Sequence, residues 1–202
     1  MAKYILKNFH CLNKSHKIVG NKAKNLAFLL RHGYAVPSFF VVTTALFQHV
    51  SKKFSVSTNN VDSYDEAKKF FDSMEFGSTN LPSKFWKSFE GQFNLLKNAA
   101  SPAAVSVRSS SPYEDSTNQS FAGQFVTFLD VKNKIDAWKA IKQCWLSLWQ
   151  PNVLSYLQEA RIRGETKAMA VIIQQMVHPD FSGVLFSFDP VQTNNDLMLL
   201  EF

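Results

Sequence analysis

Ala104-Val105-Ser106-Val107-Arg108-Ser109-Ser110-Ser111 alternates apolar and small polar residues, then delivers an arginine into a run of hydroxyls. The alternation predicts a half-buried strand over 103–107, closed by Arg108. Glu114-Asp115 follow, and then Ser120-Phe121-Ala122-Gly123-Gln124, a loop whose glycine precedes the apolar run 125–131. A guanidinium beside hydroxyls and backbone donors suits a polyanionic ligand such as a triphosphate. Phosphate chemistry is the first hypothesis.

Working outward, the 202 residues suffice for one sizeable core or two small lobes sharing a cleft. Nearly half are apolar, and the 19 phenylalanines can fill such a core, which argues against disorder. The formal charge of +6 invites a nucleic-acid reading, yet the lysines form no run longer than two. A solvated surface or an anionic small ligand explains that excess better. Cys11 and Cys144 lie far apart with no Cys-x-x-Cys spacing, which suits a reducing cytoplasm and excludes the usual zinc and disulfide patterns. No apolar stretch approaches the length of a membrane span, so a soluble cytoplasmic protein is expected.

Along the chain, Leu26, Leu29 and Leu30 predict a helix over about 23–32, stopped by Gly33 and Pro37. Phe39-Phe40-Val41-Val42 reads as a short buried strand, and Thr43 or Thr44 caps a helix with Leu46, Phe47 and Val50. The polar stretch 51–62 predicts a surface loop. Ser63-Tyr64-Asp65-Glu66 is a capping box for a helix to about Met74, and Pro82 opens another to about Asn98. Two helices are expected over 135–163, with Ile135, Trp138, Ile141, Trp145, Leu148 and Trp149 on the buried stripe of the first. Strands are expected at 168–177, 183–188 and 197–202. Helices in front and strands behind indicate an α+β architecture. The strand-like ending Leu197 to Phe202 suggests a truncated chain.

Each candidate residue has a plain reading beside its functional one. Lys22, in Gly20-Asn21-Lys22-Ala23, opens a helix and could hold a phosphate, or be an ordinary surface lysine. Arg108 either meets a ligand or pairs with Glu114 or Asp115. Gly123 permits close backbone approach, or simply serves a turn. The segment 170–177 can present backbone groups to an adenine edge or be core alone. None of the five histidines has ligand spacing or a paired nucleophile.

Taken in order, these blocks resemble the N-terminal nucleotide-binding domain of the phosphoenolpyruvate synthase, pyruvate phosphate dikinase and rifampicin phosphotransferase group. The matching pieces are Gly20 to Leu26, Gly33 to Pro37 with Phe40 to Thr44, Val107 to Ser110 with Glu114-Asp115, Ser120 to Gln124, and Gln174 to Val177 with Ser182 to Pro190. The resemblance implies an ATP-grasp-like fold spanning residues 1–202, with approximate lobes 1–100 and 101–202. It implies ATP and, in the complete enzyme, Mg2+, with a phosphoryl group passing to a carrier histidine on a separate domain and on to pyruvate or another acceptor. Lys22 and Arg108 would contact phosphates. Gly123 and Gln124, with the segment through Thr127, would form the loop over them. Gln174, Met176 and Val177 would line the adenine slot, largely through backbone atoms, and Glu201 would approach the ribose or adenine side.

Two departures stand out. Asn21 and Ala23 replace glycines of the related Gly-Gly-Lys-Gly motif, where side chains could crowd a phosphate. The chain also stops before the Gly-Leu-Gly-Glu segment, the last sheet and the metal-binding residues, and it carries neither a histidine domain nor an acceptor domain. The resemblance therefore offers no metal ligand here, and a full catalytic cycle is not expected from these residues alone, although the family is one of ATP-dependent phosphotransferases. The leading expectation is the ATP-binding portion of a dikinase-type phosphotransferase; the alternative is a non-catalytic nucleotide-sensing or interaction module of the same fold. Nucleic-acid binding ranks below both.

Overall fold

A computed structural model describes residues 4–57, 63–99, 104–112, 126–159, 167–186 and 197–202. At its centre lies a five-stranded sheet of order β1-β2-β5-β3-β4. The strands are β1 (Ile5–Lys7), β2 (Phe39–Val42), β3 (Val105–Ser110), β4 (Thr127–Val131) and β5 (Ala170–Gln175), and every pairing is antiparallel. Strand β5 pairs on both edges and is covered on both faces, which is why it reads as the unbroken run Ala-Val-Ile-Ile. Strands from before and after position 100 thus share one sheet.

Alternation along the strands divides their side chains between two cores. Phe40, Val42, Val105, Val107, Val171 and Ile173 face the larger one. It is completed by α4 (Thr44–Ser57), α5 (Tyr64–Asp72), α6 (Ser83–Ala99) and α7 (Lys134–Leu146), followed by a 3-10 turn (Ser147–Trp149) and α8 (Pro151–Glu159). Aromatic rings fill this layer: Trp138 and Trp145 meet edge to face at 5.5 Å, and Phe71 meets Trp149 at 5.5 Å. Some buried polar ends are matched, while the Trp145 indole N–H has no hydrogen-bond partner among the described residues. The Trp138 indole donates to the Met74 carbonyl at 2.9 Å, and the Lys142 ammonium donates to the same oxygen at 3.0 Å.

Leu6, Phe39, Val41, Ala170 and Ile172 point to the opposite face. There they meet Cys11, Val19, Ala23 and Ala27, supplied by α1 (Asn8–Leu12), α2 (His16–Val19) and α3 (Asn21–Arg31) with their connections. Helices therefore cover both sides of an antiparallel sheet, a mixed α+β arrangement. A separate two-stranded sheet pairs β6 (Val184–Phe186) with β7 (Leu199–Glu201). Among the described residues, no helix is long and apolar enough to cross a membrane.

Several local expectations change. The first strand is β1, in what reads as a leader; Ile5 and Leu6 pair with Val42 and Val41. The polar stretch expected to loop from 51 stays helical to Ser57, because Phe54 is buried and packs edge to face on Trp149 at 5.7 Å. Strand β3 does not end at Arg108 but runs to Ser110, since Ser109 and Ser110 pair with Val171 and Ala170. Ile135 is exposed rather than part of the buried stripe. Helix α3 buries Ala23 and Ala27, leaving Phe28 and Leu29 outside. Its end is as expected: Gly33 has φ 84°, its N–H donates to Leu30, and the Tyr34 N–H donates to Leu29, a Schellman closure.

Candidate nucleotide site

The end of β3 and the start of α3 are fastened together. Gly20 separates α2 from α3 at φ 77° and ψ 162°, a backbone conformation closed to other residues. It lies so close to β3 that a Cβ there would overlap the Ser110 carbonyl and hydroxyl. The Ser110 hydroxyl donates to the Val19 carbonyl at 2.9 Å and accepts from the Ala23 N–H at 3.1 Å. The Asn21 N–H donates to the Ser111 carbonyl at 3.1 Å, and the Asn21 side chain reaches the Pro112 carbonyl at 3.4 Å. Two of the first amides of α3 are thereby satisfied within the protein. Positive charge at this point comes chiefly from side chains. Ala23, one of the two residues standing where related motifs have glycine, is buried in the core, and the other, Asn21, is turned onto Pro112.

The Lys22 ammonium donates to the Ser109 carbonyl at 3.2 Å, which sets it beside the residue that follows Arg108 in β3. Arg108 lies opposite Ile172 in the β3–β5 register, on the sheet face covered by α1–α3. Its guanidinium donates to the Gln174 side-chain oxygen at 3.0 Å, and the Gln174 NH2 donates to the Pro37 carbonyl at 3.2 Å. That amide orientation is fixed by its neighbours, because turning it over would place donor against donor and acceptor against acceptor. Among the described residues Arg108 makes no salt bridge, and its partner is a neutral amide. A half-buried guanidinium held this way keeps donors for an anion.

Thr127 lies directly across from Arg108 in the β3–β4 register and is exposed. Lys22, Arg108, Thr127 and Gln174 thus gather at one part of the sheet. Gln174 sits within the ladder, between Phe39 and Ser106, so its side chain is the part it can offer. Met176 leaves the sheet with its N–H on the Ala104 carbonyl at 3.1 Å, and Val177 beyond it is exposed. Glu201 is exposed in β7, opposite Val184, and no contact among the described residues joins it to the cations. Gly123, Gln124, Glu114 and Asp115 lie outside the described residues. An open apolar recess of about 390 Å3, lined by Phe181, Leu185, Leu200 and Phe202 among others, is at the β6–β7 hairpin and contains none of the cations. Among the described residues no three His, Cys, Asp or Glu side chains form a group able to hold a metal ion such as Mg2+.

Sequence reasoning missed Gly20 and Ser110 as a clasp, and the Gln174 side chain as the holder of Arg108. The signals were visible only as a glycine before Asn-Lys and as three consecutive serines after an apolar strand.

Fold and site together define a mixed α+β domain in which the start of α3, with Lys22, is fastened to the β3 end that carries Arg108. Residues 16–202 match the family described as "Pyruvate phosphate dikinase, AMP/ATP-binding domain", and the chain belongs to that family. It is 32% identical over 199 residues to the phosphoenolpyruvate synthase of Aeropyrum pernix, a match covering 91% of this chain and 24% of that protein. An uncharacterised phosphotransferase of Bacillus subtilis is 31% identical, with coverage of 95% and 22%. The rifampicin phosphotransferase of Streptomyces sviceus is 30% identical, with coverage of 91% and 22%. The chain spans less than a quarter of the length of each of these relatives.

Proposed function

We propose that this chain is the ATP-binding part of an ATP-grasp phosphotransferase of the dikinase type, with Lys22 and Arg108 receiving the phosphates. The observation that carries this reading is the Lys22 ammonium seated on the carbonyl next to Arg108. Two cations from distant parts of the chain at one point oppose the charge of a triphosphate, and in the reaction they stabilise charge on the transferred group. Gln174, itself anchored on the Pro37 carbonyl, holds the guanidinium, so less of its freedom remains to be lost on binding. Gly123 and Gln124 would close over the phosphates, with Thr127 at the base of that segment.

The scale of the face supports the same reading. Lys22 bonds the carbonyl of Ser109 and Met176 bonds that of Ala104. Five residues of strand separate those points, about 17 Å. That is the length of an extended nucleoside triphosphate, with the base toward Met176 and Val177 and the phosphates toward Lys22. Glu201 would approach the sugar or base side only after the β6–β7 hairpin closes on this face. In the complete protein, Mg2+ ligands, a carrier histidine and an acceptor site would come from other segments. The γ- or β-phosphoryl group would pass to the histidine nitrogen while the bond to its bridging oxygen breaks, and then move on to pyruvate or another acceptor.

Titration of the chain with ATP by calorimetry, beside Arg108→Ala, tests the site. Loss of a charge-assisted contact worth about 1.5–3 kcal/mol predicts affinity about 10- to 150-fold weaker. Equal affinity in both proteins would remove Arg108 from the site. In the protein extended to the length of its relatives, ATP-dependent labelling of a histidine is expected; nucleotide binding without labelling would indicate a sensing module instead.

A further inference from the structure

We infer that the outer ridge of α3 is a docking surface for an acidic protein segment carrying apolar anchors. Helix α3 is inverted relative to its composition: small Ala23 and Ala27 face the sheet, while Phe28 is 52% and Leu29 38% exposed, with Tyr34 just beyond at 62%. Lys24, Phe28 and Arg31 fall at helical spacings of four and three and so lie along one face. Aromatic and arginine side chains on a rigid element are the residue types that anchor protein interfaces.

The ridge is ordered before any partner arrives. The His32 ring lies 4.1 Å from the Phe28 ring, and its Nδ1 is 2.9 Å from the Phe28 carbonyl oxygen. Tyr34 is tied back by its N–H to Leu29 at 3.1 Å. Less freedom is then lost on association.

Charge decides the kind of partner. None of the chain's 16 acidic residues precedes Asp62, whereas nine of its 22 lysines and arginines do. Among the described residues Lys24 and Arg31 make no ion pair. The charges that α3 itself carries, Lys22, Lys24 and Arg31, are all of one sign and attract an acidic surface. Isolated cations set around Phe28 and the aliphatic Leu29 match carboxylates interspersed with apolar side chains better than a continuous phosphate backbone, which calls for a denser basic track.

Fluorescence anisotropy with three labelled probes of equal charge tests the inference. The probes are a glutamate-rich helical peptide with leucines at helical spacing, polyglutamate, and a single-stranded oligonucleotide. The leucine-bearing peptide should bind most tightly, and both Phe28→Ser and Arg31→Glu, exposed substitutions compatible with folding, should weaken it about tenfold or more. ATP affinity of the same two variants should stay at the wild-type value, which separates this surface from the nucleotide site. No binding of the leucine-bearing peptide, indifference to both substitutions, or tighter binding of the oligonucleotide or of polyglutamate would each overturn it.

Discussion

The Lys22 ammonium donates to the main-chain oxygen of Ser109, a residue 87 positions later in the chain, at 3.2 Å. This bond ties a helix start to a strand end, at the residue that follows Arg108. The clasp around Gly20 and Ser110 holds that helix start against the strand, the Ser110 hydroxyl bonding both the Val19 carbonyl and the Ala23 N–H.

The first prediction concerns coupling between the two cations. Lys22→Ala and Arg108→Ala should each weaken ATP binding about 10- to 150-fold. The double variant should lose less than the sum of the single losses, with a discrepancy above about 0.5 kcal/mol, because both contact one ligand group. Calorimetric titration of the four proteins gives the cycle, and strict additivity would place the cations at independent sites.

Gln174→Leu should separate fold from function. It removes the acceptor for Arg108 at 3.0 Å and the donor to Pro37 at 3.2 Å. A stability loss of about 1–3 kcal/mol is expected in urea denaturation, together with weaker ATP binding from a guanidinium no longer held in place. Gln174→Glu should retain Arg108 through an ion pair but lose the bond to Pro37. Its ATP affinity should also fall, since the carboxylate competes with phosphate for the guanidinium.

The clasp is open to a direct test. Gly20→Ala combines a backbone conformation that costs about 1–3 kcal/mol outside glycine with an overlap on the Ser110 carbonyl. A loss of about 2 kcal/mol or more is expected. Ser110→Ala strands the Ala23 N–H and the Val19 carbonyl and should cost about 1–3 kcal/mol. Both variants should unfold at lower urea concentration with an unchanged denaturant slope. A changed slope would show that the denatured state had been altered as well.

Lys142 predicts a pH dependence. Burial in the aromatic layer holds its ammonium below the ordinary lysine value of 10.5. Between that lowered value and 10.5 the unfolded chain binds a proton that the folded chain has shed, so stability rises with pH across this window. Below the window both states are charged and the contribution is flat. The stability difference between wild type and Lys142→Met should therefore move in favour of the wild type as pH rises through the window. Urea denaturation across the alkaline range checks this, and a constant difference would contradict it.

Much of the framework was legible because local rules and tertiary packing agree. Phe39 to Val42 lacks polar interruption and became β2, and Ser63 accepts from the Glu66 N–H at 3.3 Å, the N-cap half of the capping box. Trp138, Ile141 and Trp145 recur at helical spacing and all lie in the core. The misreadings arose where a distant partner overrode composition. Phe54 keeps a polar stretch helical by packing on Trp149. Ser109 and Ser110 look like loop residues, yet β5 supplies their ladder partners. Ile5 and Leu6 are too short a run to announce an edge strand without β2 beside them.

By itself, the order of residues determined the mixed α+β class and the family resemblance, and it offered Lys22 and Arg108 as candidates, because patterning and short motifs are local properties of the chain. Only the tertiary structure decided that the Lys22 ammonium meets the carbonyl of the residue after Arg108, that Gln174 bonds Arg108 through its side chain, and that α3 turns Phe28 and Leu29 outward. The physical reason is that each of these depends on a contact across a long loop: strand register and close helix–sheet approach set which atoms meet, and neither is written in any single stretch of sequence.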